Sequence, residues 1–478
     1  MSAAYEAVIG LEIHAELMTA AKMFSRARVV DSVTAAPNTA VLPLCLGMPG
    51  TLPVINKEAV GYALRVALAL NCSINQHNIF ARKNYFYPDL PKGYQISQYE
   101  QPLGVNGWLD IELDGGEQKR IRIRRVHMEE DTGKLTHQDD GTSLVDYNRA
   151  GVPLLEIVTE PDIRSGEEAR LLGMKVRQIL RYLRVNSGDM EKGVLRVEPN
   201  ISIRPIGSET LGTRTELKNL NSFRVLADGT TFEIRRQIAV VEAGGAVLQE
   251  TRGWHDTRRE TFSQRVKEEA EDYRYFPEPD LPPLFISEEW IAATRAALPE
   301  LPDARRRRYR ADLQLSAYDA GVLTEERDVA EWFETAVAAG GDPKTVANWM
   351  INELFRLLNE SKTGISGTDM QPDHLVELLS LVGDGTLNNN TAKEVLAQMF
   401  ATGREPAAIV AARGLAQISD ETALEATVME VLAANGTAVT RYRAGETKLR
   451  GFFVGQVMRA TQGKANPALV NKILSRLL

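Results

Sequence analysis

Cysteine is nearly absent from this chain of 478 residues, in which only Cys45 and Cys72 occur. Two cysteines cannot build a disulfide framework or a four-cysteine metal site. Such sparing use of cysteine is typical of proteins that stay in a reducing compartment, and we therefore expect a cytoplasmic protein.

Long uncharged hydrophobic runs are also missing. No stretch reaches the ~18–20 apolar residues that a membrane-spanning helix needs. Glu6, Glu12 and Glu16 interrupt the apolar residues near the start, which does not fit a secretory signal peptide. No membrane is therefore expected as a partner.

The familiar nucleotide-binding and hydrolase motifs are absent as well. The sequence has no G-x-x-x-x-G-K-S/T phosphate loop and no G-x-G-x-x-G run after a predicted strand. It also lacks H-E-x-x-H, C-x-x-C and G-x-S-x-G. These absences disfavour a free-standing metal-dependent hydrolase. Any ATP would have to bind on a sheet surface.

Charge is balanced overall but uneven along the chain. The formal net charge of -8 argues against a protein coated in nucleic acid, and DNA is not expected as a partner. Residues 441–478, however, carry eight lysines and arginines and a single acid, Glu446. This stretch is either a module that contacts a polyanion or a solvated helix face. The candidate residues for contact with a polyanion are Arg441, Arg443, Lys448, Arg450, Arg459, Lys464 and Lys472.

Composition and spacing predict an α+β chain of three parts. Residues 1–294 are rich in Gly, Pro and Asn with short alternating segments, which predict an antiparallel sheet with flanking helices. Residues 295–408 show helical spacing and predict an all-α domain, and residues 409–478 predict a small basic α-helical tail domain. Thr324 is expected to cap a helix that starts at Glu325, and Asp342 a helix with Pro343 at its first position.

Four predicted strands present polar side chains on one face. They span residues 8–17, 120–131, 195–204 and 213–220, and the alternation of the second slips at Arg124 and Arg125, as a β-bulge would cause. The faces carry carboxylates, imidazole and cations, which suit Mg²⁺ or Mn²⁺ better than Zn²⁺. The candidate metal-binding and catalytic residues are Glu12, His14, Glu130 and Glu216.

Cations share these faces and could neutralise phosphate oxygens. The candidates are Arg196, Arg204, Arg214 and Lys218. Phosphoryl transfer depends on positioning and charge neutralisation, which a metal ion beside cations on a rigid sheet can provide. A polar face crossed by structural salt bridges would show the same residues.

Two aromatic loops and one histidine leave alternatives open. Residues 85–89 (YFYPD) and 273–278 (YRYFPE) could stack against a nucleobase or anchor their loops in a core. His127 could be a metal ligand, a base or a buried histidine with a hydrogen-bond partner, and the last is the commonest case for a lone histidine.

Several longer strings resemble the GatB family, one of the subunit types of the bacterial aspartyl/glutamyl-tRNA amidotransferases. They cover almost the whole chain in order: GLEIHAEL (10–17), RKNYFYPD (82–89), YQISQ (94–98), HMEEDTGK (127–134), DYNRAGVPL (146–154), EPD (160–162), ELKNLNSF (216–223), DYRYFPEPD (272–280), GQVM (455–458) and GKANP (463–467).

The resemblance implies a cradle domain, a helical domain and a small tail domain in one subunit of a three-subunit enzyme of translation. An amidase subunit would supply ammonia from glutamine, and a small third subunit would hold the complex together. The GatB-type subunit would bind misacylated Glu-tRNA(Gln) or Asp-tRNA(Asn). It would use ATP and Mg²⁺ to phosphorylate the side-chain carboxylate before amidation.

The resemblance also assigns roles to residues of this chain. The metal residues map onto Glu12, His14 and Glu130, with Glu216 supporting a second ion, while Lys218 and Arg214 would steady the ATP phosphates. Glu198 stands where an aspartate is usual and receives no role. The alternative is a noncatalytic tRNA-binding scaffold subunit whose polar face is structural.

We predict that the protein contains no structural zinc. Many members of the family carry a four-cysteine zinc knuckle around the segment that is residues 41–50 here, where only Cys45 remains. One cysteine cannot supply the four ligands of a structural zinc site. Elemental analysis of the purified protein should find zinc well below one equivalent, and one tightly bound equivalent would contradict the prediction.

Overall fold

The chain divides into two units, Met1–Leu301 and Pro302–Leu478. A computed structural model describes residues 5–266, 273–415, 421–461 and 465–478. Within these ranges every strand lies in the first unit, and the second unit is helical. The predicted sequence of a sheet domain followed by helical modules is therefore confirmed, while the borders after residues 294 and 408 stay predictions.

The strands, in chain order, are β1 (Tyr5–Glu16), β2 (Ser73–Ile74), β3 (His77–Asn78), β4 (Phe80–Asn84), β5 (Tyr94–Gln98), β6 (Gly104–Glu112), β7 (Gln118–Glu130), β8 (Lys134–His137), β9 (Ser143–Asp146), β10 (Pro153–Thr159), β11 (Leu195–Pro205), β12 (Thr215–Lys218), β13 (Glu250–His255), β14 (Glu260–Val266), β15 (Phe276–Pro277) and β16 (Leu284–Phe285). The helices of the first unit are α1 (Lys57–Ala69), α2 (Gly166–Tyr182), α3 (Phe223–Glu242) and α4 (Glu288–Ala296).

A nine-stranded sheet dominates the first unit, in the order β14-β13-β12-β11-β1-β10-β7-β6-β2. Each neighbouring pair is antiparallel except β12 and β13, which run parallel. The predicted antiparallel sheet is thus mixed at this one pair. Helix α3 lies between the two strands in the chain, and a parallel pair requires such a crossover connection.

Strand β1 shows how the sequence places the core. Its alternate residues Ile9, Leu11 and Ile13 are fully buried and join the side chains of α1 and α2 in one hydrophobic cluster. Each such buried side chain stabilises the fold by about 1.5–3 kcal/mol. The intervening residues are only partly buried, so β1 has one apolar face and one polar face.

The predicted irregularity in β7 is present. Val158 of β10 pairs with Arg125, and Thr159 pairs with Ile123, so Arg124 is an extra residue in β7. This is the geometry of a β-bulge. Consequently Ile121 and Ile123 on one side of the bulge and Val126 and Met128 on the other side are all buried in the same core.

The second unit is built from helices α5 (Pro302–Ala311), α6 (Ala317–Leu323), α7 (Arg327–Ala338), α8 (Pro343–Trp349), α9 (Phe355–Ser361), α10 (Pro372–Gly383), α11 (Asn389–Thr402), α12 (Pro406–Arg413), α13 (Glu421–Ala434), α14 (Gly436–Arg443), α15 (Leu449–Ala460) and α16 (Pro467–Leu477). It contains two separate hydrophobic clusters, one drawn from residues 309–410 and the other from residues 424–474. Among the described residues, no helix combines the length and the hydropathy required to cross a membrane.

One of the two predicted helix caps is wrong. Asp342 caps α8 as predicted, because its side chain accepts a hydrogen bond from the backbone N–H of Thr345 at 2.9 Å. Thr324 instead ends α6, where its hydroxyl donates to the carbonyl of Ala320 at 2.6 Å. Helix α7 begins only at Arg327, because the short helix α6 occupies the preceding residues.

The close approach of β6 to the loop after α1 predicts that Gly107→Ala destabilises the protein. A Cβ at Gly107 would lie 2.6 Å from the carbonyl oxygen of Leu70 and would also collide with Cys72 Sγ. Such overpacking typically costs about 1–3 kcal/mol. We expect a lower midpoint of thermal unfolding, measured by circular dichroism.

The matched control is Gly61→Ala in the interior of α1, where a Cβ would meet no atom within 4 Å. Replacing a helical glycine by alanine stabilises a helix by about 0.5–1 kcal/mol. A Gly107→Ala protein that unfolds at the temperature of the wild type would show that the β6 contact is not tight.

Candidate active site

The polar residues of β1 lie beside polar residues of the two neighbouring strands, β10 and β11. Glu12 pairs in register with Glu198 of β11, and His14 pairs with Glu156 of β10. Directly opposite residues in antiparallel strands have Cβ atoms only about 4.5–5.5 Å apart. The register therefore gathers acids from several strands along one stripe of the sheet.

The first group on this stripe, here called the histidine cluster, consists of His14, Glu129 and Glu156. One potential ligand atom from each lies within 4.8 Å of the other two. His14 Nε2 is 3.5 Å from a Glu156 carboxylate oxygen and 3.8 Å from a Glu129 oxygen. A nitrogen and two carboxylates at this spacing form a donor set that Mg²⁺ or Mn²⁺ accepts.

Buried charges perturb both partners in the histidine cluster. Burial alone would lower the pKa of His14, but the carboxylates of Glu156, Glu198 and Glu129 outweigh it and raise this pKa to about 9. Burial alone would raise the pKa of Glu156, but His127 and His14 lower it well below its ordinary range. His14 is therefore protonated near neutral pH, and a metal ion would have to displace that proton.

His127 lies buried beside this cluster. Its Nε2 is 3.2 Å from a Glu156 carboxylate oxygen. Within the described chain, the Nδ1 atoms of His127 and His14 have no hydrogen-bond partner. Unpartnered buried nitrogens are uncommon, and their position beside clustered carboxylates is a feature of ligand sites rather than of ordinary cores.

The second group, here called the carboxylate cluster, consists of Glu12, Glu198 and Glu216. One carboxylate oxygen from each lies within 4.8 Å of the other two. Lys218 neutralises part of this charge, since its Nζ lies 2.8 Å from Glu198 and 3.5 Å from Glu216. Burial alone would lower the pKa of Lys218, but Glu198, Glu216 and Glu12 raise it above its ordinary value.

Asn200 completes the surroundings of the carboxylate cluster. Its side-chain NH₂ donates to a Glu12 oxygen at 3.0 Å, while its buried Oδ1 has no partner among the described residues. Thr251 donates to Glu216 at 3.0 Å from the far side. An unsatisfied amide oxygen beside three carboxylates fits a hard cation or its bound water.

Glu130 is not brought together with Glu12 and His14. Its carboxylate accepts from the backbone N–H of Ile96 at 3.1 Å and contacts Lys92. Successive residues of a strand point to opposite faces, so Glu130 faces away from the stripe while Glu129 faces it. A metal-binding role of Glu130 stays a prediction from the sequence, while the structure places its carboxylate beside Lys92 and the backbone of β5.

The four predicted phosphate-binding cations are dispersed. Lys218 lies in the carboxylate cluster, and Arg196, which pairs in register with His14, donates to Asp131 at 3.0 Å. Arg204 bonds to Glu6 at 2.7 Å near the other end of β11, six residues beyond Glu198. Arg214 is exposed and precedes β12.

Sequence reasoning missed four residues of this region, although some of them carried signals. Glu129 follows from counting two residues along the strand after His127. Glu156 is a lone acid in the buried strand β10, and buried acids usually have a partner or a role. Glu198 lies on the predicted polar face of residues 195–204 but received no role there, and Lys83 carried no such signal. Lys83 lies on β4 and interacts electrostatically with Glu129 and Glu156.

Several predicted tail cations are already engaged within the second unit. Arg441 forms an ion pair with Glu446 at 2.7 Å, and Lys472 lies 3.7 Å from Glu421. Arg450 donates to Asn471, and Arg443 donates to a backbone carbonyl near the C-terminus. Lys464 lies outside the described residues.

Lys448 and Arg459 differ from the other tail cations. Both are exposed, and within the described chain neither forms an ion pair or a side-chain hydrogen bond. Of the predicted tail cations that the structure describes, these two are therefore the best placed to meet an external anion.

Cys45 is buried among polar groups. Its Sγ is 3.6 Å from Lys22 Nζ and 3.7 Å from the Ser25 hydroxyl. Lys22 is itself fully buried, and burial lowers its pKa despite the nearby Cys45 and Glu130. Absence of zinc remains a prediction.

Comparison with known proteins agrees with the resemblance seen in the motifs. Residues 7–292 match the family described as GatB/GatE catalytic domain, and residues 331–478 match the GatB domain. The chain is 53% identical over 474 residues to a protein of Thermodesulfovibrio yellowstonii, with 99% of both chains covered. It is 54% identical over 477 residues to one of Moorella thermoacetica, covering 99% of this chain and 100% of the relative.

A protein of Geobacter sulfurreducens is 53% identical over 478 residues, with 99% of both chains covered. All three relatives are named as the same subunit of an aspartyl/glutamyl-tRNA(Asn/Gln) amidotransferase. Identity of this order over full length, together with the two domain matches, shows that the chain belongs to the GatB family of amidotransferase subunits.

Proposed function

We propose that this chain is the subunit that activates and amidates the aminoacyl group of misacylated tRNA. With ATP and Mg²⁺ it would phosphorylate the side-chain carboxylate of Glu-tRNA(Gln), Asp-tRNA(Asn) or both. Ammonia would then displace phosphate to give Gln-tRNA(Gln) or Asn-tRNA(Asn). The observation that carries the proposal is the pair of acid clusters on one sheet face of a GatB-family chain.

The proposed partners follow from the names of the relatives. An enzyme whose chains are named as subunits has further members, and we propose an amidase subunit that releases ammonia from glutamine and a small third subunit. Misacylated tRNA would be the macromolecular substrate. A cytoplasmic location fits this role in translation and remains a prediction.

The chemistry explains why ATP is needed. A carboxylate is a poor electrophile, and its oxygen is a poor leaving group. Transfer of the γ-phosphoryl group breaks a bond to the β-phosphate oxygen and forms one to the carboxylate oxygen. Attack of ammonia then forms the C–N bond and breaks the C–O bond, releasing phosphate and a proton. The acyl phosphate thus supplies the leaving group that the free carboxylate lacks.

In this proposal each of the two clusters would bind one metal ion. His14, Glu129 and Glu156 would hold one Mg²⁺, and Glu12, Glu198 and Glu216 a second. When bound, such ions neutralise the oxygens of the transferred phosphoryl group. In this proposal Glu130 holds Lys92 and the backbone of β5 rather than a metal ion.

Cations near the clusters would complete the phosphate site. Lys218 beside the carboxylate cluster and Lys83 beside the histidine cluster are the nearest candidates for ATP phosphate oxygens. Arg196 fixes Asp131 at the edge of the site. Arg204 is too far along β11 to join them, and exposed Arg214 would reach a phosphate only outside the strand.

A noncatalytic tRNA-binding scaffold is the competing function. Lys218 forms ion pairs with Glu198 and Glu216, and a purely structural salt-bridged face would contain the same ion pairs. These contacts are therefore compatible with a scaffold. Formation of an acyl phosphate distinguishes the two functions.

We expect Glu12→Gln and Glu156→Gln to lower acyl-phosphate formation at least about 100-fold, because each removes a charged ligand from one cluster. The assay combines the three-subunit complex with ATP, Mg²⁺ and Glu-tRNA(Gln), and hydroxylamine traps the acyl phosphate as a hydroxamate. Glutaminase activity in the amidase subunit should persist.

Glu160→Gln is the matched control, because this acid directly follows β10 and pairs with Arg124 at the bulge of β7. It should form hydroxamate at the wild-type rate. Full activity of both cluster variants would leave the scaffold function as the better account.

We expect the double variant Lys448→Ala/Arg459→Ala to bind tRNA more weakly and with a shallower salt dependence. Each phosphate contact that is lost reduces the slope of log K against log salt by about 0.7–0.9. Filter binding between about 50 and 200 mM salt measures the slope, while ATPase activity at saturating tRNA should persist.

Lys57→Ala/Arg404→Ala removes the same charge from exposed sites outside the tail and serves as the control. An equal change of slope in both double variants, or no change in either, would exclude a specific role for the tail.

A further inference from the structure

A row of tyrosines lies in the segments that flank β15, β4 and β5, the strands of the small sheet. Tyr85 stacks with Tyr87 at a centroid distance of 5.6 Å, and Tyr275 stacks with Tyr99 at 4.1 Å. Tyr273 stands edge-on to Tyr85 at 6.3 Å and to Tyr275 at 6.1 Å. These five rings form the tyrosine row.

The backbone that carries Tyr273 and Tyr275 is held in a strained conformation. Arg274, between them, has a φ of 46°, which costs an L-residue about 1–2 kcal/mol. The Asn84 side chain donates to the carbonyls of Tyr273 and Arg274 at 3.1 and 2.8 Å and fixes this turn. Strain that the surroundings maintain is concentrated at functional sites.

The row is not a buried core. Tyr87 is 46% exposed and Tyr99 is 40% exposed. Tyr85, Tyr273 and Tyr275 are half-buried. Ring faces that remain open to solvent cost hydrophobic free energy, and stacking a planar ligand on them recovers it.

Cations connect the row to the histidine cluster. Lys83 Nζ lies 5.0 Å from the Tyr273 ring centroid and interacts with Glu129 and Glu156. The Arg125 guanidinium lies 6.0 Å from the Tyr99 centroid. Its buried Nε has no hydrogen-bond partner among the described residues and is therefore a donor without an acceptor.

We propose that the tyrosine row with Arg125 and Lys83 forms a nucleotide subsite. An unpaired nucleobase stacks on the Tyr99–Tyr275 end, and an adjoining phosphate oxygen accepts from Arg125. Stacking on aromatic side chains and charge-assisted bonds to Arg are the two interactions by which proteins hold unpaired nucleotides. The subsite rests on the proposed function, whose two substrates each bring a nucleobase.

Adenine is the base in both cases, and its source is either ATP or the unpaired 3′ end of the tRNA. The aminoacyl group is attached to the terminal ribose, so the base at that end lies close to the carboxylate to be activated. In ATP the adenine is joined to the transferred phosphoryl group through the ribose and the two inner phosphates. The binding experiment has one arm for each source.

The experiment compares Tyr99→Leu with Tyr99→Phe in the three-subunit complex under non-turnover conditions. One arm measures the Kd of a non-hydrolysable ATP analogue with Mg²⁺ by calorimetry. The other arm measures binding of tRNA with and without its 3′-terminal adenosine. Stacking contributes about 1–3 kcal/mol per base, so the loss of the ring should weaken one ligand about tenfold.

Tyr99→Phe keeps the ring and should bind both ligands within about twofold of the wild type. Tyr318→Leu removes a tyrosine that is 70% exposed in the second unit, and should bind both ligands normally. A tenfold loss for the ATP analogue alone assigns the row to ATP. A loss for tRNA alone that disappears without the terminal adenosine assigns it to the 3′ end.

The proposal is overturned if Tyr99→Leu binds both ligands like the wild type, or if the leucine and phenylalanine variants lose affinity equally. Binding is scored separately from hydroxamate formation. An inactive complex that still needs the Tyr99 ring for binding would refute the proposed activation step but not the subsite.

Discussion

The site depends on the pairing of β1 with β10 and β11. Strand alternation gives β1 a polar face, and the two ladders fix which acids stand opposite it. Glu12 meets Glu198, and His14 meets Glu156, because the register permits no other pairing. A slip of one residue would turn the apolar residues of β1 outward and dismantle the core and the site together.

The many carboxylates on one stripe repel one another, and positive groups beside each cluster offset this repulsion. A proton on His14 offsets the charge of the histidine cluster, and the ammonium of Lys218 offsets that of the carboxylate cluster. Like charges at this spacing destabilise the folded state unless compensated. In the proposed function a divalent cation bound at each cluster would replace a single positive charge by two.

Much of this arrangement could be predicted from the sequence. Alternation placed Glu12, His14 and Glu216 on polar faces, and the slip at Arg124 located the bulge. The parallel pairing of β12 with β13 could not be predicted, because a crossover through α3 is a property of tertiary packing. Glu129 could be placed on the polar face by counting two residues from His127, although its closeness to His14 depends on how β7 and β1 both pair with β10. Alternation also placed Glu198 on a polar face, but its position opposite Glu12 needed the register of β1 against β11, which no local pattern encodes.

The bulge at Arg124 has a further consequence for β7. Odd-numbered Ile121 and Ile123 point into the hydrophobic core, whereas odd-numbered His127 and Glu129 point toward the polar stripe. The extra residue Arg124 explains this difference, because it shifts the alternation by one position between the two segments. The bulge therefore accommodates an extra residue without exchanging the two faces of β7. Deleting Arg124 would restore simple alternation from Ile121 to Glu129 and keep Glu156 opposite His127.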